Sequence, residues 1–307
     1  MTRIAVTGLP FFGPRAASGL RQAGFEATYV PRPGARPATW PRFLLELARA
    51  DAFYSIGSSA SRGSPNDRIA ALRRKVIMHW VGSDVLSASE ARRRNELSNR
   101  LVRDAVHWAD APWLVEELRG IGIAAAEHPL PIPIAIGSPE PPPANFRVLV
   151  YLPAGRHPAH DIEGTLAVVR ALPEVSFLAI GGREAVAPLP NLEHRGYVQT
   201  VAPIYRECAA ILRLTHHDGL SHSIVEALSF GRHAVWTRHL PGVRQVEDAE
   251  GAIEAIRELA AQSAVGSLGV NTRGAAFVTE RYAEPNIAEE LTEAMHQALG
   301  TAETRNQ

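Results

Sequence analysis

This chain of 307 residues is short of several things. It has a single cysteine, Cys208, so no disulfide can close within it, and a reducing compartment fits that count. It has no net charge, because 32 Lys and Arg balance 32 Asp and Glu. The balance removes the electrostatic argument for a dedicated nucleic-acid binder. No apolar run approaches the roughly 20 residues of a membrane span. The first residues run straight into "RIAVTG", a strand pattern without a signal-peptide layout. There is no short-period repeat and no low-complexity tract. The expectation from these absences is a cytoplasmic protein whose contact with a membrane, if any, is peripheral.

What is present is alternation. Hydrophobic residues make up 46% of the chain, enough for real cores. Short apolar runs at 3–8, 25–31, 51–57, 75–82 and 105–112 read as strands, each bounded by Gly, Pro or polar turns. Helical patterns fall between them near 14–23, 41–49, 66–74, 88–103 and 113–120. The stretch "HPLPIPIAIGSPEPPPANF", 128–146, carries seven prolines and excludes a regular helix or central strand. Beyond it the alternation restarts, with strands at 147–153, 175–182, 191–198, 209–215 and 233–237. Helices are expected near 161–172, 200–207, 222–230, 251–262 and 284–299. Such alternation predicts parallel sheets covered by helices on both faces. The fold class is therefore α/β, with two tandem Rossmann-like domains facing a cleft. The expected boundaries are 1–135, a proline-rich linker at 136–146, a second domain at 147–282 and a C-terminal helix at 283–300 crossing back to the first.

The most informative stretch is "LTHHDGLSHSIVEALSFG", 214–231. A strand leads into a loop and then a helix start, where unpaired backbone N–H groups favour an anion such as phosphate. Gly219 lets the backbone approach a ligand. Ser223 and Glu226 also match a capping box, in which Glu226 would only tie down the helix entrance. If Ser221 is the cap instead, Glu226 lies beyond capping reach and faces a ligand. Both readings stand on the pattern alone.

The run "HHDGLSHSIVEALSFGRHAVWTRHLPGV" resembles the signature of the family-four glycosyltransferases, which have the GT-B fold. That signature spaces two glutamates by seven residues, with Gly and Leu after the first and "EA-[LM]-A-x-G" around the second. Here Gly219 and Leu220 follow the first acid, and Glu226 opens "EALS" before Gly231. The first acid is Asp218 where the family has Glu. The resemblance implies that Glu226 holds ribose hydroxyls of a nucleotide-sugar and Asp218 touches the donor sugar. It places the backbone of Gly219, Leu220 and Ser221 against sugar and diphosphate, with His217 beside them. It also implies retention of anomeric configuration.

Further positions follow from the same comparison. The family's "G-R-L-x-x-x-K-G" is matched only by Gly155 and Arg156 in "LPAGRHPAHDIEG", and the lysine position falls near Asp161. Arg156 is thus one phosphate cation. Arg213 is the candidate for the second, although an arginine in an apolar strand can equally pair with an internal acid. The loop after the first strand is neither G-x-G-x-x-G nor a P-loop, which disfavours a pyridine-nucleotide dehydrogenase. In that loop Gly13 is the candidate for approach to donor phosphate. In "HWVGSDVL", His79 and Asp84 lie near a strand's carboxyl end and are candidates for acceptor binding or base catalysis, with a helix-capping role the plainer reading of Asp84. His107 and the loop 55–64 are weaker acceptor candidates.

His216, His217, Asp218 and His222 resemble no metal motif, and neither a metal nor a cofactor is expected; the nucleoside-diphosphate-sugar is a substrate. The arginine-rich segment 90–104 reads as a solvated helix face, or more sharply as a contact for anionic lipid. The expected function is transfer of a sugar to a hydroxyl of a glycan or lipid-linked acceptor. The alternatives are a nucleotide-sugar epimerase on the same fold and a non-catalytic scaffold for a partner transferase.

Overall fold

A computed structural model of the chain describes residues 2–31, 40–132, 134–153, 159–182 and 188–300. It divides into two compact units, Met1–Pro133 with Glu284–Gln307, and Ile134–Ala283.

In the first unit the order is β1 (Arg3–Gly8), α1 (Gly13–Gln22), β2 (Glu26–Tyr29), α2 (Trp40–Arg49), β3 (Ala52–Ile56), α3 (Pro65–Ala71) and β4 (Lys75–Trp80). It continues with α4 (Ser83–Arg93), α5 (Asn99–Asp104), β5 (Val106–Ala109), α6 (Pro112–Gly120) and β6 (Ala126–Glu127). The second unit holds β7 (Arg147–Leu152), α7 (Ile162–Ala171), β8 (Ser176–Gly181), β9 (Leu192–Gly196), α8 (Ala202–Glu207) and β10 (Ala210–Arg213). After them come α9 (His222–Ser229), β11 (His233–Trp236), β12 (Val243–Gln245), α10 (Ala249–Ala264) and α11 (Thr272–Tyr282). The last helix, α12 (Glu284–Leu299), belongs to the first unit.

Each unit is built on a parallel sheet. The first has the order β2-β1-β3-β4-β5-β6 and the second β12-β11-β10-β7-β8-β9. Helices cover both faces, so the strands are apolar throughout rather than alternating. Ala52–Ile56 is buried at every position, and Val148, Val150 and Phe177 are fully buried in the second core. In each sheet the strand order reverses once, between β1 and β3 and between β7 and β10. Ligands of open α/β sheets bind outside the carboxyl ends of the strands at such a reversal. The α12 residues Leu291, Ala294, Met295 and Ala298 join the first core, and the His128 Nδ1 lies 3.0 Å from the Glu290 carboxylate.

Three local differences from expectation have physical causes. The helix expected over 88–103 is two helices. Asn95 adopts φ 55°, a left-handed conformation that Asn tolerates, and Ser98 then accepts the Leu101 N–H at 3.2 Å to cap a new helix. The short edge strands β6 and β12 have too few residues to show a period. Helix α11 escaped the pattern because it contains Gly274, a poor helix former. A Cβ there would lie 2.6 Å from the Leu228 side chain, so the glycine is what lets α11 pack on α9.

The proline-rich stretch is tied to the second unit. The Gly137 N–H donates to Ser229 Oγ at 2.8 Å, and the Glu140 N–H to the Phe230 carbonyl at 3.2 Å. The Arg232 guanidinium donates to the Pro141 carbonyl at 2.9 Å. Prolines supply carbonyl acceptors but no donors, so the segment follows the end of α9 as a strap, with neither helix nor strand.

Candidate functional site

In the second unit the strand reversal lies between β7 and β10, and the loops after these strands are joined. The Asp161 N–H donates to the Leu214 carbonyl at 3.1 Å, and the His216 N–H to the Ala159 carbonyl at 2.9 Å. His160 and Thr215 form an isolated antiparallel bridge. Asp161 caps α7 by accepting the Gly164 N–H at 2.8 Å, which explains an acid where the family has a lysine region. A narrow crevice here is lined by Tyr151, His160, Ile162, Thr165 and Arg213.

Arg213 ends β10, and its guanidinium meets the Asp218 carboxylate through two bonds, of 2.5 and 3.0 Å. The two side chains are only 13% and 14% exposed. The five-residue spacing lets the chain turn after Thr215 and bring the acid back over the strand end. Thr215 and Thr237 hydroxyls are 2.8 Å apart, tying that turn to the end of β11. The internal-pair reading of Arg213 is therefore realised, and it joins two residues singled out separately in the sequence. Arg213 also lies 6.0 Å from the Tyr151 ring centroid.

Ser221 is the cap residue of α9, in extended conformation, and its hydroxyl lies 3.0 Å from that of Ser223 rather than on a backbone N–H. The capping box is not formed. Glu226 instead reaches Tyr205, whose hydroxyl donates to Oε2 at 2.8 Å, while the Ala135 N–H approaches Oε1 at 3.5 Å. Tyr205 is 1% exposed. Burial and the neighbouring Glu226 carboxylate push its pKa well above 10.0, so it stays a donor. Burial raises the Glu226 pKa too, opposed by the Tyr205 hydroxyl and the Ala135 N–H. His222, at the start of α9, is pushed down to about 4 by burial and by Arg213, with Asp218 opposing. A neutral imidazole thus borders the ion pair. Leu220, His217 and Ser221, in the same loop, are buried.

Other candidates fall elsewhere. His79 is 1% exposed in the first core. Its Nε2–H donates to the His128 carbonyl at 3.0 Å and its Nδ1 accepts from the Tyr54 hydroxyl. Burial lowers its pKa to about 3. Both ring nitrogens are engaged, so His79 is a core residue and not a substrate contact. Asp84 lies in the first turn of α4, where its carboxylate accepts the Val81 N–H at 3.1 Å and the Val85 N–H at 3.2 Å. Burial lifts its pKa to about 6. Its role is to tie the helix entrance, although Gly82 is the cap residue. His107 is buried, accepting from Trp80 Nε1 at 3.2 Å and donating to the Leu101 carbonyl at 3.0 Å. Gly13 starts α1, and a Cβ there would lie 2.1 Å from the Tyr29 ring, so packing alone accounts for this glycine. Gly155 and Arg156 lie outside the described residues. In the arginine-rich segment, Arg93 and Arg94 pair with Glu90, Arg100 with Asp67 and Arg103 with Asp104. That is the solvated face of the plainer reading.

Sequence reasoning missed Tyr205 and named His222 only among the residues weighed for a metal. "PIYREC" carries no motif. Only the topology, which puts the helix before β10 beside the helix after it, points to Tyr205.

Two doubly wound parallel sheets in tandem, with the acidic loop–helix at the reversal point of the second, define the GT-B class of fold. No protein-family model matches the sequence, and no curated protein matches it. Solved structures do. The chain is similar to Anabaena HepE in complex with UDP and glucose, at 12% identity and TM-score 0.68, covering 97% of this chain and 100% of that one. It is similar to sucrose-phosphate synthase from Thermosynechococcus elongatus at 13% identity and TM-score 0.72, covering 98% and 100%. The lipopolysaccharide outer core galactosyltransferase WaaB, in its apo form, matches at 11% identity and TM-score 0.61, covering 96% and 99%. At these identities the likeness is one of fold.

Proposed function

We propose that this protein is a glycosyltransferase that moves a sugar from a nucleoside-diphosphate-sugar to a hydroxyl of a glycan or lipid-linked acceptor, with retention at the anomeric carbon. The observation that carries this reading is the state of Glu226. Its carboxylate is not spent on its own helix; it accepts from the Tyr205 hydroxyl, and the helix that carries it follows β10, one of the two strands at the reversal point of the sheet. A carboxylate has about four lone-pair sites, so each oxygen keeps acceptor capacity for a ribose hydroxyl.

Arg213 then serves as the diphosphate cation, exchanging Asp218 for phosphate, and Asp218 is released to hydroxyls of the donor sugar. The backbone of Gly219, Leu220 and Ser221 at the α9 entrance adds the favourable end of a helix for the same anion. Charge that develops on the departing diphosphate is met by this arginine and these N–H groups, where low surrounding polarity strengthens both. Arg156 keeps its proposed place as a second cation.

The test is a thermal-shift screen with UDP-, GDP- and ADP-sugars, because a ligand of the native state raises its stability. One nucleotide class is expected to raise the melting temperature, and that donor is then offered with acceptors. No shift with any of them contradicts a donor site. A bound donor isomerised without acceptor identifies the epimerase, and a bound donor that never turns over identifies the scaffold.

A further inference from the structure

In β1 and β2 successive side chains face opposite sides of the sheet. Ile4, Val6 and Ala27 enter the first core, so Arg3, Ala5, Glu26 and Thr28 share the other face, in register as Arg3 with Glu26 and Ala5 with Thr28. Ala5 and Thr28 are small, and β2 is the edge strand, so this corner of the face is thinly covered. A cavity of about 350 Å³ lies there. From α2, Glu46 and Arg49 line it, three residues apart and therefore on one side of the helix. Arg74 fixes that wall by donating to the Ala48 and Ala50 carbonyls at 3.3 and 3.4 Å. Arg3 and Glu26 begin their strands, which puts the cavity toward the amino end of the sheet. Ligands of open α/β sheets ordinarily bind at the other end, beyond the carboxyl ends of the strands.

The lining brings two guanidinium groups and two carboxylates together. Arg3 and Glu26 satisfy each other across the strands at 3.1 Å. Glu46 and Arg49 do not: among the described residues neither side chain has an ion-pair or hydrogen-bond partner, and Glu46 is half-buried. A charge drawn partly out of water is costly until it is paired. A simple anion in this cavity would meet Arg49 but also Glu46, and a metal cation would meet Glu46 but also Arg49. Among the described residues no group of three metal-ligating side chains occurs. A neutral ligand leaves both charges unpaired. The occupant that satisfies both carries one charge of each sign. The volume is at the small end of ligand sites, which run from about 300 to 1,000 Å³, and so suits a metabolite.

We propose that this cavity is a binding site for a free α-amino acid. Its carboxylate meets the Arg49 guanidinium, whose planar fork of donors matches two carboxylate oxygens. Its ammonium group meets the Glu46 carboxylate. Residues three apart on a helix stand about 5–6 Å from each other at Cβ, which suits two charges carried on one carbon atom. The Thr28 hydroxyl and the Arg3–Glu26 pair remain for a polar side chain of the ligand. The proposal concerns the first unit and does not depend on the donor site.

The test is a thermal-shift screen of the full chain with each of the common L-amino acids at millimolar concentration, followed by calorimetry of the one that raises the melting temperature most. Its N-acetyl derivative and its amide, each of which keeps one charge of the two, are expected to bind at least about tenfold more weakly. Glu46→Gln and Arg49→Gln are expected to weaken binding by a similar factor. Thr28→Leu, which fills the cavity from the edge strand, should abolish it. Arg93→Gln, on α4, should leave it unchanged. Melting of each variant without ligand verifies its fold, and the two conservative changes on α2 keep the test open if Thr28→Leu does not fold. No rise in melting temperature with any amino acid overturns the proposal. Equal affinity for the N-acetyl derivative or the amide overturns the zwitterion. Binding undiminished in Glu46→Gln and Arg49→Gln places the ligand elsewhere and overturns the site.

Discussion

Replacing Asp218 by alanine tests how the second unit holds its charges. The carboxylate takes two bonds from Arg213, with both side chains less than 15% exposed. Removing one partner of a buried pair typically costs about 3–5 kcal/mol, because the other charge is left without compensation. The residual exposure favours the lower end, about 3 kcal/mol, which is a factor of about 150 in an opening equilibrium. Hydrogen exchange of β10 and β11 reads it directly, since Arg213 is in register with Trp236. Asp218→Ala should lower protection of these amides about a hundredfold. Arg213→Met with Asp218→Leu should stay near wild type, since apolar replacement of a whole buried pair is often neutral. Inorganic pyrophosphate should restore protection in Asp218→Ala more than in wild type, because the anion takes the place of the carboxylate. A loss below about threefold would refute the account of the pair. Equal pyrophosphate effects on both proteins would refute Arg213 as a phosphate cation.

Three further outcomes are expected. Tyr205→Phe removes a bond that favours ionised Glu226, so its carboxyl pKa should rise and nucleoside-diphosphate binding should weaken about fivefold, with the low-pH limb of the affinity profile moving to higher pH by calorimetry. Asp84 holds its proton more tightly folded than unfolded, so the stability it contributes is complete below its ordinary value of 3.8 and lost as pH rises through about 6. The stability of wild type minus Asp84→Asn, from urea unfolding, should fall by about 3 kcal/mol between acid and neutral pH; parallel curves would contradict this. Cys208 is 1% exposed and burial pushes its thiol up to about 12, so labelling by a thiol reagent at neutral pH should follow unfolding and vanish under native conditions.

The strands were legible because a parallel sheet buried on both faces writes itself as short apolar runs. From Arg3–Gly8 to His233–Trp236 those runs coincide with strands to within a few residues. What hid was set by tertiary contact. Gly274 weakens α11 locally and is required by its approach to Leu228. Asn95 breaks a charged run that has uninterrupted helical composition. In the site, Asp218 and Glu226 stood out by spacing, and Arg213 pairs with Asp218 across only five residues, whereas Tyr205, the partner of Glu226, is brought in by the order of elements. His79 misled because a histidine near a strand end looks alike whether it faces solvent or the Tyr54 hydroxyl.

The most direct measurement is calorimetry of UDP, GDP and ADP binding to the wild type and to Glu226→Ala, with Glu226→Gln as the near-isosteric control and melting curves verifying each fold. Wild type should bind one of the three, and Glu226→Ala should lose that binding while Arg213→Ala loses more of the diphosphate's affinity than of the nucleoside's. Unchanged affinity in Glu226→Ala would contradict the assignment of this carboxylate to the ribose, and with it the proposed donor site.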